Sequence, residues 1–176
     1  MPALVTDRLR LVPITLEAIE AVLDHDKARA EAIVGATFPR SWPNDQLVGQ
    51  GFPFSREALR ANPEVRLWGD SLVVLRDEPR VVGSVVFHGH PSDGVAEVAY
   101  GIAENCRRNG YAIEATAAAV EWALAQEGIG AVQATTFPWH AASLAVIRGL
   151  GMQQIGTREH DTLGELLLFE RRAGSR

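Results

Sequence analysis

Three apolar segments in the middle of the chain constrain its fold more than any other feature. Residues 71–75, 81–87 and 95–102 are rich in valine, a residue that favours β-strands. An Asp-Glu-Pro turn separates the first two, and a loop at residues 88–94 with two glycines and a proline separates the last two. Because strands joined by short turns usually pair with each other, the pattern predicts an antiparallel meander of three strands.

Helical periodicity is found on both sides of this meander. Thr15 is a capping residue in front of an apolar stripe, and residues 27–36 are expected to continue as helix. Similar stripes predict a long helix at about 110–127 and a second helix at about 141–150, each ended by a glycine. A shorter helix, capped by Ser55, is expected before the meander.

Further strands are expected near both ends of the chain. Residues 4–14 place leucine and isoleucine among charged residues with a spacing close to two, which predicts an edge strand closed by Pro13. Another strand is expected at 132–136, and two more, at about 152–158 and 163–170, close the chain. The order β-α-α-β-β-β-α-β-α-β-β indicates an α/β (α+β) domain, with a mixed, mostly antiparallel central sheet flanked by helices.

Composition and charge exclude several classes of function. With 176 residues, 47% of them apolar and 22% charged, the chain suits one folded domain over residues 1–176. The net charge of −5 disfavours broad nucleic-acid binding, and no run of about 18 apolar residues, the length of a membrane span, is present. The single cysteine, Cys106, excludes an intramolecular disulfide and a cysteine-built zinc site. A cytoplasmic protein with no nucleic-acid and no membrane partner is therefore expected.

The segment at residues 37–54 contains several prolines and glycines and is expected to be irregular. It also carries four aromatic residues, Phe38, Trp42, Phe52 and Phe54. Two interpretations are equally open: these side chains line a pocket, or they pin the segment to the core.

Residues 103–112 carry the clearest chemical signature, since they lie between a predicted strand and the start of the long helix. A helix N-terminus presents unpaired N–H groups and the positive end of the helix dipole. Gly110 lets the backbone approach a ligand closely, and Arg107 and Arg108 add positive charge, so the segment suits a pyrophosphate. The alternative is that Asn109 and Gly110 only make the turn into the helix.

Several motifs in this order are similar to one family. The residues that carry the similarity are Arg107-Arg108-Asn109-Gly110-Tyr111-Ala112 for a Gln/Arg-x-x-Gly-x-Gly/Ala motif, Glu97-Val98-Ala99-Tyr100 for a Glu-Ile-Gly-Tyr strand, Thr6–Leu11 for an opening strand, and Trp139–Met152 for an Asn-x-x-Ser…Gly-Phe segment. On these motifs the chain resembles GNAT-superfamily N-acetyltransferases, in the RimJ/RimL-like branch of ribosomal-protein N-terminal acetyltransferases. Residues 27–65 are the least similar to the family.

The resemblance implies the GNAT fold, acetyl-coenzyme A as co-substrate in a cleft between splayed strands, no metal, and an amine acceptor. Homodimers are also typical of the family, so the resemblance implies a homodimer. The pantetheine would pair with the strand around Tyr100, Gly101 and Ile102. The pyrophosphate would bind the segment Arg107, Arg108, Asn109, Gly110, Tyr111 and Ala112. His140 replaces the branch's asparagine, and is expected either to contact the cofactor or to cap a helix.

Catalysis by such an enzyme requires a base, because an amine is mostly protonated at pH 7 and only the neutral amine attacks a thioester. Glu97 matches the family's acid and is the expected base; the alternative is a solvent-facing residue that balances arginine side chains. A strand N–H of Val98 or Ala99 would hold the oxyanion. Ser143, or a water, would protonate the leaving thiolate; alternatively, Ser143 belongs only to a helix cap or first turn.

One departure from the family leaves a second hypothesis open, although the retained Glu97 counts against it. The tyrosine that many members use as general acid falls at Ile147, which has no proton to donate. Arg108 stands where glycine is usual, and its side chain would either cover the phosphates or face solvent. A catalytically weak or inactive coenzyme A-binding or sensing module on the same fold is therefore the alternative to direct acetyl transfer. The sequence leaves the acceptor open between a protein N-terminus and a small amine. His88 and His90 lie in a Pro/Gly-rich loop, a pattern more typical of a plain loop than of a metal site.

Overall fold

The computed structural model describes residues 3–174, which form one eight-stranded sheet with the order β1-β2-β3-β4-β5-β6-β8-β7. The strands are β1 (Leu4–Val5), β2 (Leu9–Pro13), β3 (Asp70–Leu75), β4 (Val81–Phe87), β5 (Val95–Ile102), β6 (Ala131–Thr136), β7 (Gln153–His160) and β8 (Gly164–Arg172). The helices are α1 (Leu16–Leu23), α2 (Lys27–Val34), α3 (Phe52–Ala61), α4 (Tyr111–Leu124) and α5 (Ala141–Gly149). All neighbouring strands are antiparallel except β5 and β6, so the predicted mixed, mostly antiparallel sheet is confirmed.

The predicted meander is present, and helices pack on the sheet around it. Strands β3, β4 and β5 pair in sequence order through antiparallel ladders. Helix α4 packs across β2, β4, β5 and β6, while α1 packs against both α2 and α3. Thr15 caps α1 as predicted, because its hydroxyl accepts a hydrogen bond of 3.2 Å from the Ala18 N–H.

The predicted edge strand at residues 4–14 is wrong in one respect, because the chain reverses in its middle. Thr6 closes this turn: its N–H donates to the Leu9 carbonyl at 2.9 Å, and its hydroxyl accepts from the Leu9 N–H at 3.0 Å. The result is the short β1, whose Leu4 pairs with Leu11. Strand β2 therefore lies between β1 and β3 and is an inner strand.

The predicted irregular segment at residues 37–54 contains helical structure in its last part. Residues 47–51 form one π-helical turn that runs directly into α3. Pro53 lies in the first turn of α3, where a backbone N–H has no intrahelical partner, so it does not interrupt the helix. Ser55 consequently lies inside α3, so the prediction that it caps this helix is wrong. Its hydroxyl donates to Asp70 instead.

The long helix is also shorter than the predicted 110–127. Helix α4 ends at Leu124, where the Ala125 N–H bonds to the carbonyls of Glu121 and Trp122. Gly128, the glycine expected to end the helix, lies in the loop to β6 with φ of +81°. The backbone therefore turns away three residues earlier than the glycine predicts.

The feature that positions the site is a change of partner along β5. Its second half, Val98–Ile102, pairs with β4, whereas only Val95–Glu97 pair with β6, in parallel. Beyond Glu97 the two strands diverge. The second half of β5 therefore has a backbone edge that no strand covers, and the wedge between β5 and β6 opens beside it.

Ile147, the position of the family's tyrosine, is fully buried on α5 within the main apolar core. We expect Ile147→Ala to lower the free energy of unfolding by about 2–4 kcal/mol, and Ile147→Val by about 0.5–1.5 kcal/mol. Denaturant titration measures both. Ile155→Ala, on the exposed strand β7, is the matched control and should change stability by about 0.5 kcal/mol or less. An Ile147→Ala variant as stable as the wild type would mean that this side chain does not pack the core.

Candidate active site

A cavity of about 1160 Å³ lies along the open edge of β5. Strands β4 and β5 contribute one side, and α3 with the segment before it contributes another. Of the predicted cofactor residues, those that line the cavity are Tyr100, Gly101, Ile102, Arg107 and His140. The others form the adjoining turn and the start of α4: Arg108, Asn109, Gly110, Tyr111 and Ala112. The structure thus brings the predicted segments of β5 and α4 together at one place.

The start of α4 has the geometry of an anion site. Gly110 is the N-cap residue with φ of +79°, and no side chain caps the first N–H groups of the helix. Arg108 also has a positive φ, of 63°. The Asn109 side chain fixes the turn by donating to the carbonyls of Cys106 and Arg107 at 3.0 and 3.1 Å. The turn interpretation and the anion interpretation are therefore compatible, because the turn leaves the helix N–H groups free of side-chain caps.

Arg8 is a residue of this region that sequence reasoning did not single out. It reaches from the turn between β1 and β2 and donates to the Asn109 carbonyl at 2.9 Å and to Glu114 at 2.7 Å. Its guanidinium also lies over the Tyr111 ring, 4.9 Å from the centroid. Burial raises the pKa of Glu114, but hydrogen bonds from Thr6 and Arg8 outweigh it and lower that pKa below its ordinary value. Arg8 therefore connects the turn before α4, through Asn109, to the first two strands of the sheet.

Tyr100 crosses the wedge from β5 to α5. Its one hydroxyl proton can be donated to the Ser143 carbonyl at 3.2 Å or to the Ser143 hydroxyl at 3.0 Å, and in the first case the serine hydroxyl donates to the tyrosine oxygen. Burial raises the pKa of Tyr100, and the hydrogen bond with Ser143 opposes this only in part, so the phenol keeps its proton at neutral pH. The Ser143 N–H in turn donates to His140 Nδ1 at 3.2 Å, which makes His140 the N-cap of α5, one of its two expected roles.

Glu97 lies on β5 but does not line the cavity. Its carboxylate pairs with Arg158 of β7 at 3.0 Å, and 36% of its side chain is exposed. The alternation of β5 places Glu97 on the same face as Ala99, which does line the cavity. The structure therefore shows the arginine partner that the second interpretation of Glu97 expects, at a position next to the cavity.

Asp70 is a carboxylate in the cavity wall that sequence reasoning missed. It opens β3, one residue before the predicted start of that strand, and only 9% of it is exposed. Ser55 of α3 donates to its Oδ2. Burial raises the pKa of Asp70, while the Ser55 hydrogen bond and the charge of His88 act in the opposite direction. An acidic residue directly before an apolar strand was the sequence signal that could have indicated it.

The aromatic residues of the segment before α3 divide between the two interpretations. Phe38, Trp42 and Phe52 are buried, with Trp42 edge-on to both others at 4.9 and 5.9 Å between ring centroids. Phe54 is 65% exposed and lines the cavity, as does Trp42. Most of these rings therefore pin the segment to the core, and two of them also form part of the pocket.

Comparison with known families decides the class of this protein. Residues 8–153 match the family described as Acetyltransferase (GNAT) domain. The chain belongs to the GNAT acetyltransferase family. It is therefore an acyltransferase, and the resemblance seen in its motifs is confirmed at the level of this family.

Relatives of this GNAT chain include both curated sequences and solved structures. It is 29% identical over 135 residues to the uncharacterized N-acetyltransferase YjdG of Bacillus subtilis (strain 168), covering 76% of this chain and 79% of that protein. An acetyltransferase (GNAT family) from Bacillus anthracis has a TM-score of 0.68 at 19% identity, covering 99% of this chain and 100% of that one. RimL, a ribosomal L7/L12 alpha-N-protein acetyltransferase in complex with coenzyme A, has a TM-score of 0.69 at 16% identity, with the same coverage. The two structures establish the shared fold.

Three further observations describe the part of this GNAT chain at residues 3–174. Within this range, no group of three or more His, Cys, Asp or Glu residues is arranged so that it could hold a metal ion. Of the loop histidines, His88 lines the cavity and His90 packs against Trp68 at 5.1 Å between ring centroids. No helix in this range combines the length and the apolar character needed to cross a membrane.

If the uncapped start of α4 binds the pyrophosphate, a negative charge placed there should weaken binding. Gly110→Glu should weaken acetyl-coenzyme A binding by about 2 kcal/mol or more, because the carboxylate repels phosphate and a side chain is strained at this positive φ. Gly35→Glu is the matched control: it has the same charge and a φ of +70°, but lies at the end of α2. Calorimetric titration measures both. Unchanged affinity in a folded Gly110→Glu variant would rule out this phosphate site.

Proposed function

We propose that this GNAT enzyme moves the acetyl group of acetyl-coenzyme A to a primary amine by direct attack in a ternary complex. The observation that carries the proposal is that one cavity runs along the open β5 edge to Arg107, in the turn directly before the uncapped start of α4. The cavity extends beyond these elements to α3 and β3, which leaves room for a second substrate. A donor and an acceptor that meet in one cavity need no acyl-enzyme intermediate.

We call the part of the cavity along Tyr100–Ile102 and Arg107 the donor side, and the part along Asp70 and α3 the acceptor side. The donor side supports acetyl-coenzyme A binding. The backbone of Tyr100, Gly101 and Ile102 offers hydrogen-bonding groups that no β6 residue pairs with, which suits the amides of pantetheine. The pyrophosphate would lie on the N–H groups of residues 108–112, with Arg107 beside it at the cavity. Arg107 is held there because its Nε donates to the Ile102 carbonyl at 3.2 Å. His140 borders the same space and would contact the donor near the wedge.

The reaction forms a bond from nitrogen to the carbonyl carbon and breaks the bond from that carbon to sulfur. A protonated amine must lose one proton before the attack and a second one afterwards, and the leaving thiolate takes up one proton. We assign the first removal to Glu97, directly or through a water, with Arg158 fixing the position of its carboxylate. The oxyanion would be held by the N–H of Val98 or Ala99 on the open strand.

Ser143 is the proposed proton donor to the thiolate, and Tyr100 supports it. Their hydroxyls lie 3.0 Å apart at the wedge, and either oxygen can donate in that hydrogen bond. Because the phenol keeps its proton at neutral pH, the pair holds a transferable proton although position 147 is isoleucine. A water at the same place is the alternative donor.

We also propose a branch of the GNAT family, two acceptor classes and a cellular location for the enzyme. Its motifs favour the RimJ/RimL-like branch, whose solved member RimL is described as acting on a protein N-terminus, L7/L12. Protein N-termini and small amines are accordingly the acceptor classes to test. The single buried cysteine, Cys106, suits a reducing, cytoplasmic location.

A second candidate function is a coenzyme A-binding or sensing module with little or no catalysis. The observations that favour it are the ion pair that engages Glu97 and the isoleucine at position 147. Release of free thiol from acetyl-coenzyme A, measured with a panel of peptides and small amines, separates the two functions. Amine-dependent thiol release with an acetylated product supports the enzyme; tight coenzyme A binding with no release above the protein-free rate supports the module.

The assignment of the base predicts the behaviour of Glu97→Gln, which keeps the size of the side chain and removes its basicity. Turnover at pH 7 should fall by about 100- to 10,000-fold, while the affinity for acetyl-coenzyme A should stay within about two-fold. Because a higher pH supplies more neutral amine, the gap between variant and wild type should narrow as the pH rises. Initial rates across a pH series measure this.

Glu165→Gln, an exposed residue of β8, is the matched control for Glu97→Gln and should leave turnover unchanged. Turnover of Glu97→Gln within a few-fold of wild type at pH 7 would show that the base is a water or another residue.

A further inference from the structure

The acceptor side of the cavity contains a negative charge that the proposed reaction does not use. Asp70 is about nine-tenths buried, and its carboxylate lies in the wall formed by β3 and α3. Its Oδ2 accepts from the Ser55 hydroxyl. Among residues 3–174 no hydrogen-bond donor reaches its other oxygen, and no ion pair includes it.

Such a group is costly unless something pairs with it. A buried carboxylate with a single neutral hydrogen-bond donor loses most of its hydration without gaining an opposite charge. His88 also lines the cavity and acts on Asp70 from a distance, without a hydrogen bond or an ion pair to it. A positively charged ligand group in the cavity would supply the missing partner and would favour the ionised carboxylate.

The rest of the cavity surface selects the same charge. Of its lining residues within the described chain, Arg107 is the only arginine or lysine, and it lies on the donor side. The lining also includes three neutral amide side chains, Asn44, Gln46 and Gln50. An acceptor with a carboxylate or phosphate would therefore meet no arginine or lysine near Asp70, whereas an ammonium group would meet oxygen acceptors.

The register of the sheet fixes how far Asp70 lies from the donor strand. Asp70 pairs with Val86, and Val86 pairs with Ala99, so the three residues lie side by side on one face. With neighbouring strands 4.7–4.9 Å apart, Asp70 is about 10 Å from β5 along the sheet. One nitrogen therefore does not both attack at β5 and touch Asp70.

We infer that Asp70 binds a second, positively charged group of the acceptor, so the preferred acceptor is a small diamine whose far ammonium pairs with this carboxylate. The inference rests on the proposed function and names the acceptor class of that same cavity. Asp70 then acts in specificity, and the reacting nitrogen lies a few bonds away, beside β5. Ser55 orients the carboxylate through its hydrogen bond.

The experiment compares α,ω-diamines with n-alkylamines of the same chain length, using wild type and Asp70→Asn. For the wild type, kcat/KM should favour the diamine by about 10-fold or more. Asp70→Asn should remove this preference: it should lower kcat/KM for diamines by about 10-fold or more, mainly through KM, and change the monoamine value by less than about three-fold. The matched control is Glu104→Gln, an exposed carboxylate at the same cavity, which should preserve the diamine preference.

Folding is checked separately, because Asp70 is buried. Asp70→Asn should melt no lower than wild type at pH 7, since it removes a desolvated charge. Should this variant fail to fold, Ser55→Ala retains the carboxylate without its donor and should weaken the diamine preference about three- to ten-fold. In that case, a folded Ser55→Ala variant with an unchanged diamine preference would overturn the assignment of Asp70 to the far ammonium.

Calorimetric binding of diamines in the presence of coenzyme A distinguishes this inference from the proposed function. Diamine binding that Asp70→Asn abolishes, with no acetylation of any amine, supports Asp70 and overturns the transfer reaction. Acetylation of diamines and monoamines at equal kcat/KM, unaffected by Asp70→Asn, supports the reaction and overturns Asp70. An equal loss of kcat for both amine types, with a shifted pH profile, would show that Asp70 acts as a base and would also overturn the inference.

Discussion

The structure depends on the point where β5 exchanges one partner for another. Up to Glu97 the strand lies in parallel with β6, and from Val98 onward only β4 pairs with it. Because backbone N–H and C=O groups need hydrogen-bond partners, a half-covered strand inside a sheet is an edge prepared for a ligand or water. The start of α4, the Tyr100–Ser143 contact and the cavity all lie around this edge. A sheet that closed fully here would have no place for the donor.

Charge divides the cavity into two sides, although the protein as a whole is acidic. We propose that the donor binds where Arg107 lines the cavity next to the positive end of α4, and that the acceptor binds on the side with the buried carboxylate of Asp70. An anionic donor and a cationic acceptor would thus each find an opposite charge on its own side, and each would be repelled by the other side. This arrangement would keep the two substrates in order before any chemistry occurs.

Local sequence patterns predicted much of the fold. The meander follows from short valine-rich segments joined by turns, α4 from helical periodicity, and the turn at Gly110 from the Asn-Gly pair. Each of these signals lies within a few neighbouring residues. The contacts that define the site are different, because they join distant residues: Arg8 with Glu114 lies 106 positions apart, and Glu97 with Arg158 lies 61 positions apart. Asp70 and Ser55 lie 15 positions apart, with the end of α3 between them, and no periodicity indicates their contact. Residue types predicted which groups could act; only the folded sheet shows which of them meet.

The central claim is that the uncovered half of β5 and the start of α4 receive the donor, and hydrogen–deuterium exchange tests it most directly. With saturating acetyl-coenzyme A, the amides of residues 98–102 and 108–112 should exchange more slowly than in the free protein, because ligand groups pair with them. Amides of the first part of β7, at residues 153–157, provide the internal reference and should not change. Saturated binding without protection at either segment, or with protection confined to other parts of the chain, would contradict this account.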